Sequence, residues 1–297
     1  MTAAGRYTTP PAFRRALTDR LKKMAGDTRW NLPQLQRQVA YDRLLERLYI
    51  VDDGWIVKGA TALLARDLGV RGSLDVDLYR EAAREVAEAE LRQAATSDLG
   101  DWFRFEIGAG SVIGNDGVRL PVNALVGATT WVKFHVDLVG SDRRMTGQPE
   151  RVPPLARGVI PDVAQRGYRA YPLADHVADK VAATYERRGD TRIPSTRYRD
   201  LVDLVAIITG ASVDAQAQTT AMTSEFRRRV LSRPGRFNVP DRALWATGYA
   251  AEARRSLLDI AHTLDEALAT VRPFIDPILD GSATGRWNPT KRRWSGS

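Results

Sequence analysis

Lys58-Gly59-Ala60-Thr61, followed by Ser73-Leu74-Asp75-Val76-Asp77-Leu78, is the pair of segments on which the fold turns. In the second, apolar and polar residues alternate, which predicts a strand. Side chains two apart on a strand point the same way. Leu74, Val76 and Leu78 therefore share one face, and Asp75 and Asp77 share the other. At a rise of about 3.3 Å per residue the two carboxylates root roughly 6.6 Å apart. Like charges so placed are unfavourable unless a cation lies between them, and hard divalent ions such as Mg2+, or Mn2+ in its place, take oxygen ligands of this kind. In the first segment Gly59 opens a turn where backbone N–H groups can approach a phosphate closely, because glycine has no Cβ. The helix that follows points its N-terminus at that turn, which favours an anion, and Lys58 adds positive charge.

Working outward, Trp55-Ile56-Val57 reads as a short buried strand and Thr61 to Leu68 as a helix stopped by Gly69. Asn31-Leu32-Pro33 is a helix start, and Leu35, Val39, Leu45 and Leu48 predict an amphipathic helix over 32–49. Further helices are expected over 11–24 and 81–97. Trp102 to Ile107 alternates as a strand. The loop from Gly108 through Gly110, Gly114, Asn115 and Asp116 to Gly117 has the wrong glycine spacing for a dinucleotide fingerprint and reads as a hairpin loop. Trp131 to Val139 is a strand with Trp131, Lys133, His135 and Asp137 on one face. Pro149, Pro153, Pro154 and Pro161 mark 149–162 as a domain boundary. Beyond it the pattern is helical, over about 173–187, 197–209, 215–231 and 241–270. The expected fold is α+β: a small mixed β-sheet core with flanking helices over residues 1–150, and a helical domain over 163–297.

Composition narrows the chemistry. The 297 residues suffice for a large core and two domains, and 43% hydrophobic with 27% charged residues is the balance of a soluble globular protein. No apolar run is long enough to span a bilayer. The first residues carry no apolar block after Arg6, so no signal peptide is expected and cytoplasmic residence is the default reading. Cysteine is absent, which removes disulfides, thiol nucleophiles and thiolate metal sites. His135, His176 and His262 are far apart in sequence, which argues against zinc. The net charge of +8 favours polyanionic partners. Arg227-Arg228-Arg229, Arg233 and Arg236 concentrate it, and the tail from Arg286 to Trp294 interleaves cations with indoles. Indoles can stack on bases while cations hold phosphates; the plainer alternative is a frayed terminus.

A glycine turn, a helix, a two-aspartate strand and a third aspartate, Asp137, on a later strand form an ordered set. Two divalent ions held by such carboxylates can clamp the attacking and leaving oxygens of a phosphoryl or nucleotidyl transfer. The stretch from Lys58 to Leu63 and from Arg71 to Leu78 resembles the first motif of the AbiEii/AbiGii toxin nucleotidyltransferases. This group includes the mycobacterial MenT toxins and belongs to the DNA polymerase β-like nucleotidyltransferase superfamily. Gln34 to Val39 with Leu44 to Leu48 is similar to the helix that precedes that motif. Ala178-Asp179-Lys180-Val181-Ala182-Ala183 resembles the third motif with its lysine, and Arg197 to Leu204 the fourth with its aspartate. The likeness covers roughly residues 30–210. It implies a metal-dependent enzyme that moves a nucleoside monophosphate from an NTP to the 3′ end of tRNA, encoded beside an antitoxin. Asp75, Asp77, Lys180 and Asp200 match the catalytic positions. Lys58, Gly59, Ala60, Thr61, Ser73 and Lys180 match the NTP contacts, and Asp75 and Asp77, with Asp137, the metal ligands. Ala60 stands where the second glycine of the family's pair is usual, and Asp137 matches only weakly because the second motif varies.

The residues leave alternatives open. Lys180 lies on the helix stripe of Leu173, Val177, Val181 and Thr184 and needs an anionic partner, a triphosphate or a structural aspartate. Asp200 and Asp203 near a helix start are also explained by capping. Ser73 is a phosphate contact, a modification site or a surface turn serine, and His135 a substrate contact or a packed strand residue. Two further functions compete with transfer to tRNA: transfer to a small-molecule or protein hydroxyl, and a non-catalytic module that binds tRNA or a partner.

Overall fold

A computed structural model describes residues 7–113, 117–140, 145–160, 163, 165–188 and 193–296. Gly114, Asn115 and Asp116 of the expected hairpin loop, and Pro161, lie outside them. The chain divides into two compact units. The first comprises Met1–Asp67, Gly72–Arg144 and Pro149–Ala170; the second comprises Leu68–Arg71, Met145–Gln148 and Tyr171–Ser297. The segment 149–162, read from its prolines as the boundary, falls with the first unit.

The first unit is built on a mixed sheet. Its strands are Trp55–Val57 (β1), Asp75–Arg80 (β2), Phe103–Ile107 (β3), Ser111–Ile113 (β4), Gly117–Val126 (β5), Thr129–Val139 (β6), Glu150–Val152 (β7) and Tyr168–Ala170 (β8). The spatial order is β3-β5-β6-β2-β1-β8-β7, with β4 also on β5. β2 runs parallel to β6 and β1 parallel to β8; the other pairs are antiparallel. Val76, Leu78, Leu120, Val136 and Leu138 point into the core. The opposite face of the same strands carries the polar residues, as alternation requires.

Among the described residues this unit has the helices Pro10–Asp27 (α1), Leu32–Val51 (α2), Gly59–Ala65 (α3) and Arg84–Ala95 (α4). α2 starts on a capping box between Asn31 and Gln34 with proline in its first turn. Its sequence pattern suggested one wet face, but the helix is buried on nearly every side, including Asp42, Arg43, Glu46 and Arg47. These buried charges survive because each has a partner. Asp101 binds Arg43 Nε at 2.6 Å and Arg47 at 2.7 Å. Asp42 accepts from the backbone N–H groups of Leu155 and Ala156 at 2.9 and 2.7 Å, while its burial pushes its pKa up to about 7.

The second unit is helical: Leu173–Tyr185 (α5), Tyr198–Gly210 (α6), Ala215–Arg228 (α7), Arg242–Arg255 (α8) and Leu264–Asp280 (α9). The single helix expected over 241–270 is thus two. Ser256 closes the first, Ala261 takes a left-handed φ of 59°, and a capping box between Thr263 and Glu266 restarts the chain.

The basic segments are largely structural. Arg229 is buried among Glu225, Asp179 and Glu186, Arg228 pairs with Glu225, and Arg236 with Asp276. The tail is neither frayed nor open to stack on bases. Trp287–Asn288 pairs with Arg293–Trp294 in a hairpin, and both indoles are buried against Phe274 at 5.1 and 4.8 Å between ring centroids. Trp287 Nε1 donates to the Ile208 carbonyl and Trp294 Nε1 to that of Phe274. Trp294→Ala should therefore destabilise the second unit by about 3–5 kcal/mol, the range for truncating a buried aromatic. Urea unfolding followed by tryptophan fluorescence measures this; an unchanged midpoint would show that the indole is not part of the core.

Candidate active site

Parallel pairing of β2 with β6 sets Asp75 beside His135 and Asp77 beside Asp137. Antiparallel pairing of β6 with β5 sets Asp137 beside Arg119, His135 beside Pro121 and Lys133 beside Asn123. Registered neighbours project to one face. The open face of the sheet is therefore a grid, with three carboxylates and an arginine at one end and polar residues at the other.

Arg119 forks onto Asp137, Nε to Oδ1 at 2.7 Å and NH2 to Oδ2 at 2.6 Å, and its NH2 lies 3.7 Å from Asp75 Oδ2. The Asp137 hydrogen bonds raise the guanidinium pKa, helped by the charges of Asp75 and Asp77. The sequence reading missed Arg119, which becomes visible only once the register of β5 on β6 is known.

The glycine turn packs onto the same carboxylates. Gly59 has φ 58°, and a Cβ there would overlap the Asp77 carboxylate. Lys58 N–H donates to the Asp77 carbonyl at 2.8 Å, and the Lys58 side chain is buried. α3 has only seven residues, so its dipole is a small term; the bare glycine backbone against Asp77 is the stronger feature. Ala60 is buried. Thr61 Oγ1 and Ser73 Oγ both donate to the Asp75 carbonyl, at 3.2 and 2.6 Å, and Ser73 Oγ lies 3.2 Å from Asp75 Oδ1. Tyr41 OH donates to the Ser73 carbonyl at 3.1 Å, and burial holds that phenol well above the ordinary tyrosine range. Ser73 is thus a buried residue that holds the entry of β2, not a surface turn serine. His135 is exposed rather than packed.

Among the described residues no three His, Asp or Glu side chains gather into a ready metal cage. The donor chemistry nevertheless fits a hard divalent ion in part. Asp75 and Asp77 supply carboxylate oxygens on one face, and Mg2+ is commonly held by one or two carboxylates with substrate phosphates and water completing the shell. Asp137 has both oxygens committed to Arg119, so service as a third ligand would require that fork to open.

In the second unit, Lys180 on α5 reaches two carboxylates of α6. Its Nζ lies 2.8 Å from Asp200 Oδ1 and 2.7 Å from Asp203 Oδ2. Arg71 forks onto Asp203 at 2.9 and 2.8 Å. Burial acts to lower the Lys180 pKa, but Asp200 and Asp203 outweigh it and hold the ammonium above its ordinary value. Burial likewise acts to raise Asp203, and Lys180 with Arg71 overrides it, setting the pKa at about 2. Asp203 is therefore not a helix cap but the buried centre of an ion cluster, which its sequence position did not reveal. Asp200 is more open, with Arg197 NH1 3.5 Å from its other oxygen.

The family described as nucleotidyl transferase AbiEii toxin, type IV toxin–antitoxin system, matches residues 43–285. No curated protein sequence matches the chain. The solved structure of MenT4, a nucleotidyltransferase toxin from Mycobacterium tuberculosis H37Rv, is similar with a TM-score of 0.51 and 17% identity, covering 93% of this chain and 99% of that one. JHP933 from Helicobacter pylori aligns at a TM-score of 0.43 and 13% identity, over 83% of this chain and 90% of that one.

Two outcomes separate Asp203 from Asp200. Removing one member of a buried ion cluster strands the others, so Asp203→Asn should destabilise the protein by about 3–5 kcal/mol, whereas Asp200→Asn should cost much less. The Asp203 pKa is depressed, so its contribution is complete above the unfolded value near pH 4 and fades as pH falls toward 2. Urea midpoints at several pH values should show the gap between wild type and Asp203→Asn closing as the solution is acidified. A gap that widened would contradict the assignment.

Proposed function

The chain belongs to the AbiEii nucleotidyltransferase toxin family of type IV toxin–antitoxin systems, and on that premise we propose that it transfers a nucleoside monophosphate from an NTP to the 3′-terminal ribose of tRNA in the cytoplasm, in the presence of Mg2+, until a cognate antitoxin restrains it. The observation that carries this reading is the packing of the Cβ-free Gly59 turn directly on Asp77, beside Asp75. A polyphosphate and a divalent ion have opposite charges and need adjacent places. Here backbone N–H groups and Lys58 stand next to two hard-oxygen donors.

The reaction is a substitution at the α-phosphorus. A ribose hydroxyl oxygen forms a bond to that phosphorus, and its bond to the oxygen bridging to the β-phosphate breaks. Pyrophosphate departs with the electron pair, and the hydroxyl proton passes to water. Mg2+, when bound by Asp75 and Asp77, would offset charge on the phosphate oxygens. The chain's own residues do the rest. Gly59 and Lys58 hold the phosphates, Thr61 and Ser73 fix the backbone of Asp75, and Arg119 offsets the charge of Asp137 and reaches toward Asp75. Lys180 and Asp200 take the roles of the lysine and aspartate that their motifs resemble.

Incubation with each α-labelled NTP, Mg2+ and total RNA should place label on RNA 3′ ends. Asp75→Asn should reduce that transfer by at least a hundredfold, and EDTA should abolish it. Label appearing on protein or a small molecule instead, in a parallel incubation with cell extract, would move the acceptor to another class. Label transfer to RNA unaffected by Asp75→Asn would exclude this site.

A further inference from the structure

A groove of about 600 Å3 opens on the sheet face beside Asp75, within the size range of small-ligand sites. Its floor is the polar end of the grid: Asn123 beside Lys133, and Pro121 beside His135, which is itself in register with Asp75. Arg37 from α2 and Leu74, the residue before Asp75, also line it. Two polar atoms of its lining residues are buried without a hydrogen-bond partner: the Arg37 Nε donor and the Asn123 Oδ1 acceptor. Asn123 Nδ2 is engaged with Glu106 at 2.8 Å. Buried groups of this kind usually have partners, so a donor and an acceptor left over in one groove point to a ligand that offers both.

We propose that this groove binds the terminal nucleotide of a single-stranded RNA acceptor, with Lys133 and Arg37 on its phosphate, the His135 ring and Pro121 against its base, and Asn123 at the base edge. The inference rests on the transfer reading for the position of the reacting hydroxyl. The Gly59 turn lies against Asp77, and the groove lining reaches Leu74 and His135, the chain neighbour and the register partner of Asp75, so the carboxylates of β2 lie between the turn and the groove. In phosphoryl transfer the attacking and leaving oxygens lie roughly in line on opposite sides of phosphorus. With the polyphosphate at the glycine turn, the acceptor approaches from the groove. The ligand is matched chemically as well. Unpaired nucleotides are recognised by cations on the phosphate, stacking on rings including histidine, and hydrogen bonds to exposed base edges. An incoming NTP is the other nucleotide that could occupy the groove, and the experiment separates the two.

The test uses the full chain and a 5′-fluorescein-labelled RNA octamer with a free 3′ hydroxyl, with binding read by fluorescence anisotropy at fixed salt. Lys133→Glu should weaken octamer binding at least tenfold and His135→Ala about threefold, with the affinity for Mg2+-NTP changed less than twofold. Lys23→Glu makes the same charge reversal at an exposed position of α1 outside the groove, and should have less than a third of the Lys133→Glu effect. Octamer binding that is absent in the wild type, unchanged in Lys133→Glu, or weakened equally by Lys23→Glu would overturn the assignment. So would loss of NTP affinity in Lys133→Glu with octamer binding intact, which would place the incoming nucleotide there. Label transfer is scored separately: an octamer bound through Lys133 but never extended would sink the transfer reading and leave the groove standing.

Discussion

Three carboxylates side by side on the open face of two central strands are the constraint around which the first unit is arranged. The pairing of β2 with β6 brings Asp75, Asp77 and Asp137 together whatever their charges prefer. Every neighbouring feature bears on that repulsion. Arg119 spans from Asp137 toward Asp75, and the backbone of Gly59 closes over Asp77 where any side chain would collide. Two hydroxyls, from Thr61 and Ser73, grip the Asp75 carbonyl and keep the strand entry from relaxing away. Oxygen donors held this close are of the kind that hard divalent cations take, which is the role proposed for Asp75 and Asp77.

Rigidity comes from beneath the sheet. α2 is buried on nearly all sides, and its charged residues are satisfied by Asp101 and by the backbone of 155–156. Such a helix cannot rotate without stranding ions in the core. It therefore fixes Tyr41, which holds the Ser73 carbonyl, and Arg37, which lines the groove beside Asp75. The same element thus serves the core on one side and the polar face of the sheet on the other. The second unit uses the same device on its own account, with Lys180 and Arg71 converging on the fully buried Asp203.

Much of this was legible in the residues themselves. The alternation around Asp75 and Asp77, the glycine at 59 and the inward stripe carrying Lys180 are local signals, and local periodicity is what a chain displays most directly. What stayed hidden depends on register or on partners distant in sequence. Arg119 looks like any exposed strand arginine until β5 is laid on β6. Asp203 looks like a helix cap until Arg71, more than a hundred residues earlier, is seen to reach it. β7 and β8 have three residues each, too few for alternation to show. The tail differs for another reason: tryptophans among arginines are compatible with stacking on bases or with a frayed end, yet a two-residue pairing is enough to turn both indoles inward.

We propose that Asp75, Asp77 and the Gly59 turn form one joint site for a divalent ion and a polyphosphate. Calorimetric titration of the wild-type protein with a non-hydrolysable NTP analogue, with Mg2+ and then with EDTA, measures that claim most directly. The expected result is one site that binds with Mg2+ and is lost or weakened at least tenfold in EDTA. Binding of equal strength without the ion, or none with it, would contradict it.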